Sequence, residues 1–268
     1  MLSSARRESG GSMRSERIKL LLLLILVCMA FASAAFALKP LIYRAEKTRE
    51  MHAEIKEFEK NRVESEQAVE AEENAQKEPV EIQRANDPAS NRVYGRLYEE
   101  MLLYNMRLFT YKQRDLTSKT AYELSQFKLT AYDVPNETFG IISIPAMELE
   151  MPLYLGASDE NMANGAAVLS QTSIPIGGRD TNSVIAGHRG YGGYDYFRYI
   201  DKLEPGDEIT IMNLWDTLTY RVTDIQIVPP DDIGAILIQP GKDMITLLTC
   251  HPYASGGKYR YLVFCERV

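Results

Sequence analysis

From Leu20 to Leu38 the chain is almost continuously apolar, broken only by Ser33. That is about the length a helix needs to cross a bilayer. Arg6, Arg7, Arg14, Arg17 and Lys19 precede the run, which keeps the N-terminus cytoplasmic and places the rest outside. Ala35-Phe36-Ala37 resembles a small-x-small cleavage site, so a removed signal peptide is the competing reading. Either reading exports the chain, and the length of the run favours a retained anchor. Glu46 to Glu81 is dense in Glu with interspersed Lys and Arg. Met51, Ile55, Phe58 and Val63 lie there at helical spacing before the pattern fades. This predicts a solvated helical stalk, with too few heptads for a coiled coil. Asp87-Pro88-Ala89-Ser90 breaks it. Val93, Leu97, Met101, Leu102 and Leu108 then recur on one helical face, with Glu99 and Glu100 off it, predicting a helix that packs on the following domain. Tyr111 to Pro135 is polar and irregular, with a short helix expected around Ala121 to Phe127.

From Phe139 onward the period changes to short β-type runs: Gly140–Ile144, Met151–Leu155, Ala166–Leu169, Ser183–Ala186, Glu208–Met212, Leu218–Val228, Met244–Cys250 and Tyr259–Cys265. Turn residues separate them, among them Gly177-Gly178, Pro205-Gly206, Pro229-Pro230 and Gly256-Gly257. Eight short strands with little helix between them predict a mainly β fold, a closed or nearly closed barrel. The expected organisation is a basic tail (1–19), a transmembrane anchor (20–38), a charged stalk (39–86), a helical and irregular region (87–138) and the barrel (139–268).

Composition changes this picture little. Of 268 residues 45% are apolar and 25% charged, which is ordinary for a globular chain. The net charge of −7 gives no reason to expect a nucleic-acid partner. Of the three cysteines, Cys28 lies in the apolar run. Cys250 and Cys265 sit too far apart on neighbouring strands for a disulfide, at roughly 3.3 Å per residue. Cys265 is thus expected to be a small buried hydrophobe and Cys250 a free thiol.

The candidate chemistry lies at strand ends. Met244-Ile-Thr-Leu-Leu-Thr-Cys250 reads as a buried strand ending in a thiol. Thiol attack requires the thiolate, and so a base or cation nearby. Three histidines exist. His52 belongs to the stalk. His251 adjoins Cys250, and neighbouring side chains on a strand point to opposite faces. His188, ending the run Ser183-Val-Ile-Ala-Gly-His188, remains. Arg260, opening the last strand, offers fixed donors for a developing oxyanion, whereas alternation turns Arg189 away. A lone buried cysteine is ordinarily core and a lone histidine after glycine a turn residue. The residues alone therefore leave both readings open.

Thr246-Leu-Leu-Thr-Cys250 and Ala186-Gly-His188-Arg-Gly190 resemble the nucleophile and histidine segments of the sortases. Gln171-Thr-Ser-Ile-Pro-Ile-Gly-Gly178, with Phe197, Leu203 and Gly206-Asp207, is similar to the class C, or pilus, members. Gly140-Ile-Ile-Ser-Ile-Pro145 resembles their first barrel strand. The resemblance implies an eight-stranded β-barrel and a site of His188, Cys250 and Arg260, with Thr249 added as a substrate contact. It implies attack on the Thr–Gly bond of an LPXTG-like sorting signal on a surface or pilin protein. The thioester formed is then resolved by an amine, with no cofactor and no metal. Pilus members usually carry an Asp-Pro-aromatic lid. Arg107 to Phe139 has none, so either a lid is absent or residues around Asp115 and Leu116 replace it. Many also have a C-terminal membrane helix, whereas this sequence ends at Val268 after the last strand. A housekeeping or class D-like enzyme that attaches proteins to peptidoglycan is the alternative. An inactive binding module and a papain-like protease are opposed by the three residues together and by the β-rich pattern.

Overall fold

The computed structural model describes residues 5–75, 93–113 and 122–268. They fall into two compact units, Met1–Glu46 and Lys47–Val268. Helix α1 (Ala5–Ala75) runs through both stretches of sequence. In the first unit its leucines, isoleucines and phenylalanines are exposed all round, and the most apolar window has a mean hydropathy of 2.8. A helix apolar on every face and uncovered by protein suits hydrocarbon rather than water. Among the described residues this is the one helix long and apolar enough to cross a membrane.

The second unit is a closed barrel in the order β1-β2-β3-β4-β7-β8-β6-β5, with β5 returning to β1. The strands are β1 (Thr138–Ile144), β2 (Leu149–Leu155), β3 (Ala166–Val168), β4 (Thr181–Ala186), β5 (Glu208–Asn213), β6 (Thr217–Val228), β7 (Asp243–His251) and β8 (Tyr259–Arg267). Each sits within a few residues of a run expected from the sequence. Two pairs are parallel, β2–β3 and β4–β7. Parallel neighbours need a crossover. A short helix, α2 (Asp159–Asn164), supplies the first, and the β5–β6 hairpin lies in the second. Alternation sorts the side chains of β4, β7 and β8 into two cores. Ile185, Ile245, Leu247, Tyr261, Val263 and Cys265 join the main core. Val184, Ala186, Met244, Leu262 and Phe264 form a second core on the other face with Leu169, Val228 and Ile236.

The expected solvated stalk is corrected over its first turns. Met51, Ile55 and Phe58 are buried and belong to the barrel's main core. Their i, i+4, i+7 spacing places all three on one helical face, wide enough to seal a sheet. Polar contacts fix the helix beside them. The Glu54 carboxylate accepts hydrogen bonds from Thr138 and from the Tyr154 hydroxyl at 2.6 Å, and Lys47 donates to Asn164 at 2.7 Å. Phe58→Ala should therefore lower the unfolding free energy of the full chain in detergent by about 3 kcal/mol. A solvated stalk would give a change within about 0.5 kcal/mol. Urea denaturation distinguishes the two.

The packing helix expected after residue 93 spans Gly95–Tyr111, here called αN, and buries Leu97, Met101, Asn105 and Leu108. Leu102 is exposed, since it sits about 100° around the helix from Met101. Asn105 takes a place on the buried face because its amide donates to the Ile174 carbonyl at 3.0 Å and accepts from the Ile174 N–H at 2.8 Å. Of the helix expected around Ala121–Phe127, Tyr122 and Glu123 are helical among the described residues. Asp115 and Leu116, and the break at Asp87-Pro88-Ala89-Ser90, lie outside the described residues.

Candidate active site

One rim of the barrel gathers the candidate side chains because of strand register. β4 and β7 run parallel with Ala186 level with Leu248, and the ladder continues through Gly187 N–H to the Leu248 carbonyl at 3.1 Å. Two residues further on, His188 and Cys250 leave the sheet on the same face as Ala186 and Leu248. β8 runs antiparallel to β7 with Arg260 directly opposite Cys250, so their side chains also share that face. All three line one cleft of about 290 Å³. Its floor is the second core, with Leu169, Ala186, Leu248 and Leu262.

The other face receives the residues that alternation removed. Arg189 is buried and lies 2.6 Å from His251 Nδ1. It pairs with Asp201 at 3.4 Å and stands over the Tyr261 ring at 5.3 Å. The two histidines thus have different surroundings. Burial pushes the His188 imidazole below its ordinary pKa, opposed by the charge of Asp159. His251 is pushed down first by burial and then by the Arg189 guanidinium.

Cys250 is an exposed free thiol and Cys265 a buried one. Burial pushes the Cys265 thiol up, which leaves it protonated and inert. Arg260 Nη1 lies 3.9 Å from Cys250 Sγ and donates to the Gly257 carbonyl at 2.9 Å. Thr249 also lines the cleft, but it is buried and its hydroxyl donates to the Gly187 carbonyl at 2.7 Å. It therefore ties the strand end carrying Cys250 to the one carrying His188. A buried polar chain secures one cleft wall. Asn182 accepts from the Thr246 hydroxyl at 2.9 Å and donates to the Ile236 carbonyl at 3.1 Å, pinning the turn that holds Asp232 and Ile233 against the sheet.

Two site features escaped sequence reasoning. Asp159, at the start of α2, lines the cleft and acts on His188, and nothing in the local sequence links it to a histidine on another element. Gly257 read only as a turn residue. Its φ is +79°, and a Cβ there would meet Arg260 Nη1 at 3.0 Å and Cys250 Sγ at 3.2 Å. Gly257→Ala should accordingly lower turnover by about 10²-fold through displacement of these two groups. Steady-state kinetics checks this, with circular dichroism reporting an intact fold.

A closed barrel that presents a free thiol, an imidazole and a guanidinium in one cleft is the architecture of a cysteine-dependent acyl-transfer enzyme. A family model described as "Sortase domain" matches residues 142–268. Sortase D of Bacillus subtilis is 27% identical over 172 residues, covering 59% of this chain and 83% of that protein. Among solved structures, sortase C of Streptococcus pneumoniae is 32% identical with a TM-score of 0.57, covering 68% of this chain and 92% of that one. Sortase C1 of Streptococcus agalactiae is 26% identical with a TM-score of 0.64, covering 81% and 97%. The chain belongs to the sortase family of cysteine transpeptidases.

Proposed function

We propose that this sortase is anchored by its N-terminal helix, acts outside the cell and joins LPXTG-type pilin proteins through a thioester on Cys250. The observation that carries the chemistry is the placement of Cys250 opposite Arg260, with His188 lining the same cleft over an apolar floor. In the first step the Cys250 thiolate attacks the threonine carbonyl carbon of the sorting signal. Arg260 donates to the oxyanion, the Thr–Gly C–N bond breaks, and His188 gives its proton to the leaving amine. In the second step an amine attacks the thioester, its proton passes to His188, and the sulfur leaves as thiolate. Step one draws on the fraction of enzyme in which His188 is protonated and leaves the ring neutral, the form that burial favours and that the second step needs. In this reading Thr249 is a positioning residue, rather than the substrate contact expected from the sequence. A pilin lysine is the favoured amine because the likeness to sortase C1 covers 81% of this chain, reaching beyond the barrel into its helices.

The likeness to Sortase D over 83% of that protein favours a second reading, attachment of surface proteins to peptidoglycan. The full chain in detergent, given an LPXTG peptide and two competing amines, tests both. The expected result is a mass adduct on Cys250 and a product joined to a pilin-lysine peptide. Product joined only to a wall-precursor amine would favour the second reading. No adduct with any sorting peptide would sink both.

A further inference from the structure

The loop after His188 contains a device that the two chemical steps do not use. Tyr191-Gly192-Gly193-Tyr194 closes a two-residue hairpin. Tyr191 N–H donates to the Tyr194 carbonyl at 3.1 Å, and Tyr194 N–H donates back at 2.9 Å. Gly192 and Gly193 have φ of +58° and +90°, the pair of positive angles such a tight turn demands and glycine supplies without strain. The hairpin sets the Tyr191 ring against the His188 imidazole, with centroids 4.6 Å apart and planes inclined by 23°. This lies within the range of favourable stacking. The other face of Tyr191 is open, the residue being 53% exposed.

On a second side the imidazole and the Tyr196 ring pack in a T shape, with centroids 5.8 Å apart and planes inclined by 80°. Tyr196 is buried, and its hydroxyl donates to the Ala163 carbonyl at 2.7 Å. The backbone of His188 is held separately, its carbonyl accepting from Phe197 N–H at 2.9 Å. Tyr191 and Tyr196 from its own loop pack on the imidazole, Asp159 from α2 acts on it electrostatically, and Tyr122, Glu123, Asp232, Cys250 and Arg260 are the other titratable groups that line its cleft. Among the described residues, no hydrogen bond to a protein group fixes the ring. Its rotamer is set by aromatic contact, and Tyr191 is the half of that contact that can be removed without opening the core.

We propose that Tyr191 is the positioning residue of His188, its ring holding the imidazole toward Cys250 and keeping water from one of its faces. The ring performs this role, and the hydroxyl has no part in it. The inference rests on His188 acting as the proton carrier proposed above. Removing the ring frees the imidazole to turn and hydrates it, which lets its pKa rise toward the ordinary value.

The test is a nuclear magnetic resonance titration of labelled histidine in the full chain in detergent, with His188→Ala used only to assign the signal. In Tyr191→Ala the His188 midpoint should rise by about half a unit or more, while Tyr191→Phe leaves it in place and His251 does not move in either. In the same variants kcat for sorting-peptide cleavage should fall about tenfold in Tyr191→Ala with KM within about twofold, and Tyr191→Phe should match the parent. Tyr191→Leu, which keeps the bulk but not the ring, should lower kcat as the alanine variant does and stands in for it in the kinetic test if that variant misfolds. An unmoved midpoint with unchanged kcat in the non-aromatic variants overturns the proposal, as does a phenylalanine variant as impaired as alanine. If the parent enzyme does not cut the peptide, the proposed function fails while the titration still decides the role of Tyr191.

Discussion

Cys250→Ala is expected to abolish both peptide cleavage and transpeptidation while changing unfolding free energy by no more than about 0.5 kcal/mol. The thiol is exposed at the end of β7, so its loss opens no core cavity, and in the proposed mechanism its sulfur is the atom that forms the acyl bond. Cys265→Ala is expected to behave in the opposite way. That thiol is fully buried in the main core, so its loss should lower stability by about 1 kcal/mol and leave turnover within a few-fold of the parent. Mass spectrometry of the acyl-enzyme together with denaturant titration of both variants checks the pair. An active Cys250 variant beside a dead Cys265 variant would mean that the site is wrongly placed.

His188→Ala should lower turnover by at least ~10²-fold, and His251→Ala by far less. The contrast follows from the face each ring occupies. His188 lines the cleft with Cys250 and Arg260, whereas His251 lies against Arg189 and Tyr261. The pH dependence carries a further signature. Burial lowers the His188 pKa, so resolution of the thioester, which in the proposed mechanism needs the neutral ring, should persist somewhat below the ordinary imidazole range before it fails. That acid limb should be missing from the residual activity of His188→Ala and retained in His251→Ala. Single-turnover measurement of thioester resolution across pH reads this directly. Equal losses in the two variants would defeat the assignment by alternation.

Much of the site was legible because strand geometry is a strict two-residue code. Knowing that Cys250 and His188 end apolar runs, and that neighbours on a strand point apart, was enough to set aside His251 and Arg189. The structure places both on the opposite face. The barrel was expected from eight short runs punctuated by turns, closure being one way for such strands to cover their apolar faces and edges. The stalk was less legible. Met51, Ile55 and Phe58 stood at helical spacing, but three apolar residues in a glutamate-rich segment do not declare a partner, and only the folded barrel provides the surface that buries them. Asn105 is a similar case. A polar residue reads as solvent-facing until the Ile174 backbone is there to satisfy both ends of its amide.

By itself, then, the sequence determined the local properties: an apolar helix long enough for a bilayer, the strands and their turns, and the face of its strand on which each candidate side chain lies. These depend on residues close together in the chain, where period and sterics act directly. Tertiary structure decided everything that required two distant segments to meet. The parallel pairing of β4 with β7 brings the strand ends that precede His188 and Cys250 side by side, and the β7–β8 register sets Arg260 opposite Cys250. The chain's return through α2 puts Asp159 into the cleft, and the left-handed turn at Gly257 lets backbone approach the thiol. None of these distances is encoded in a window of sequence. They arise when the barrel closes, because closure fixes the register of every strand against both neighbours at once.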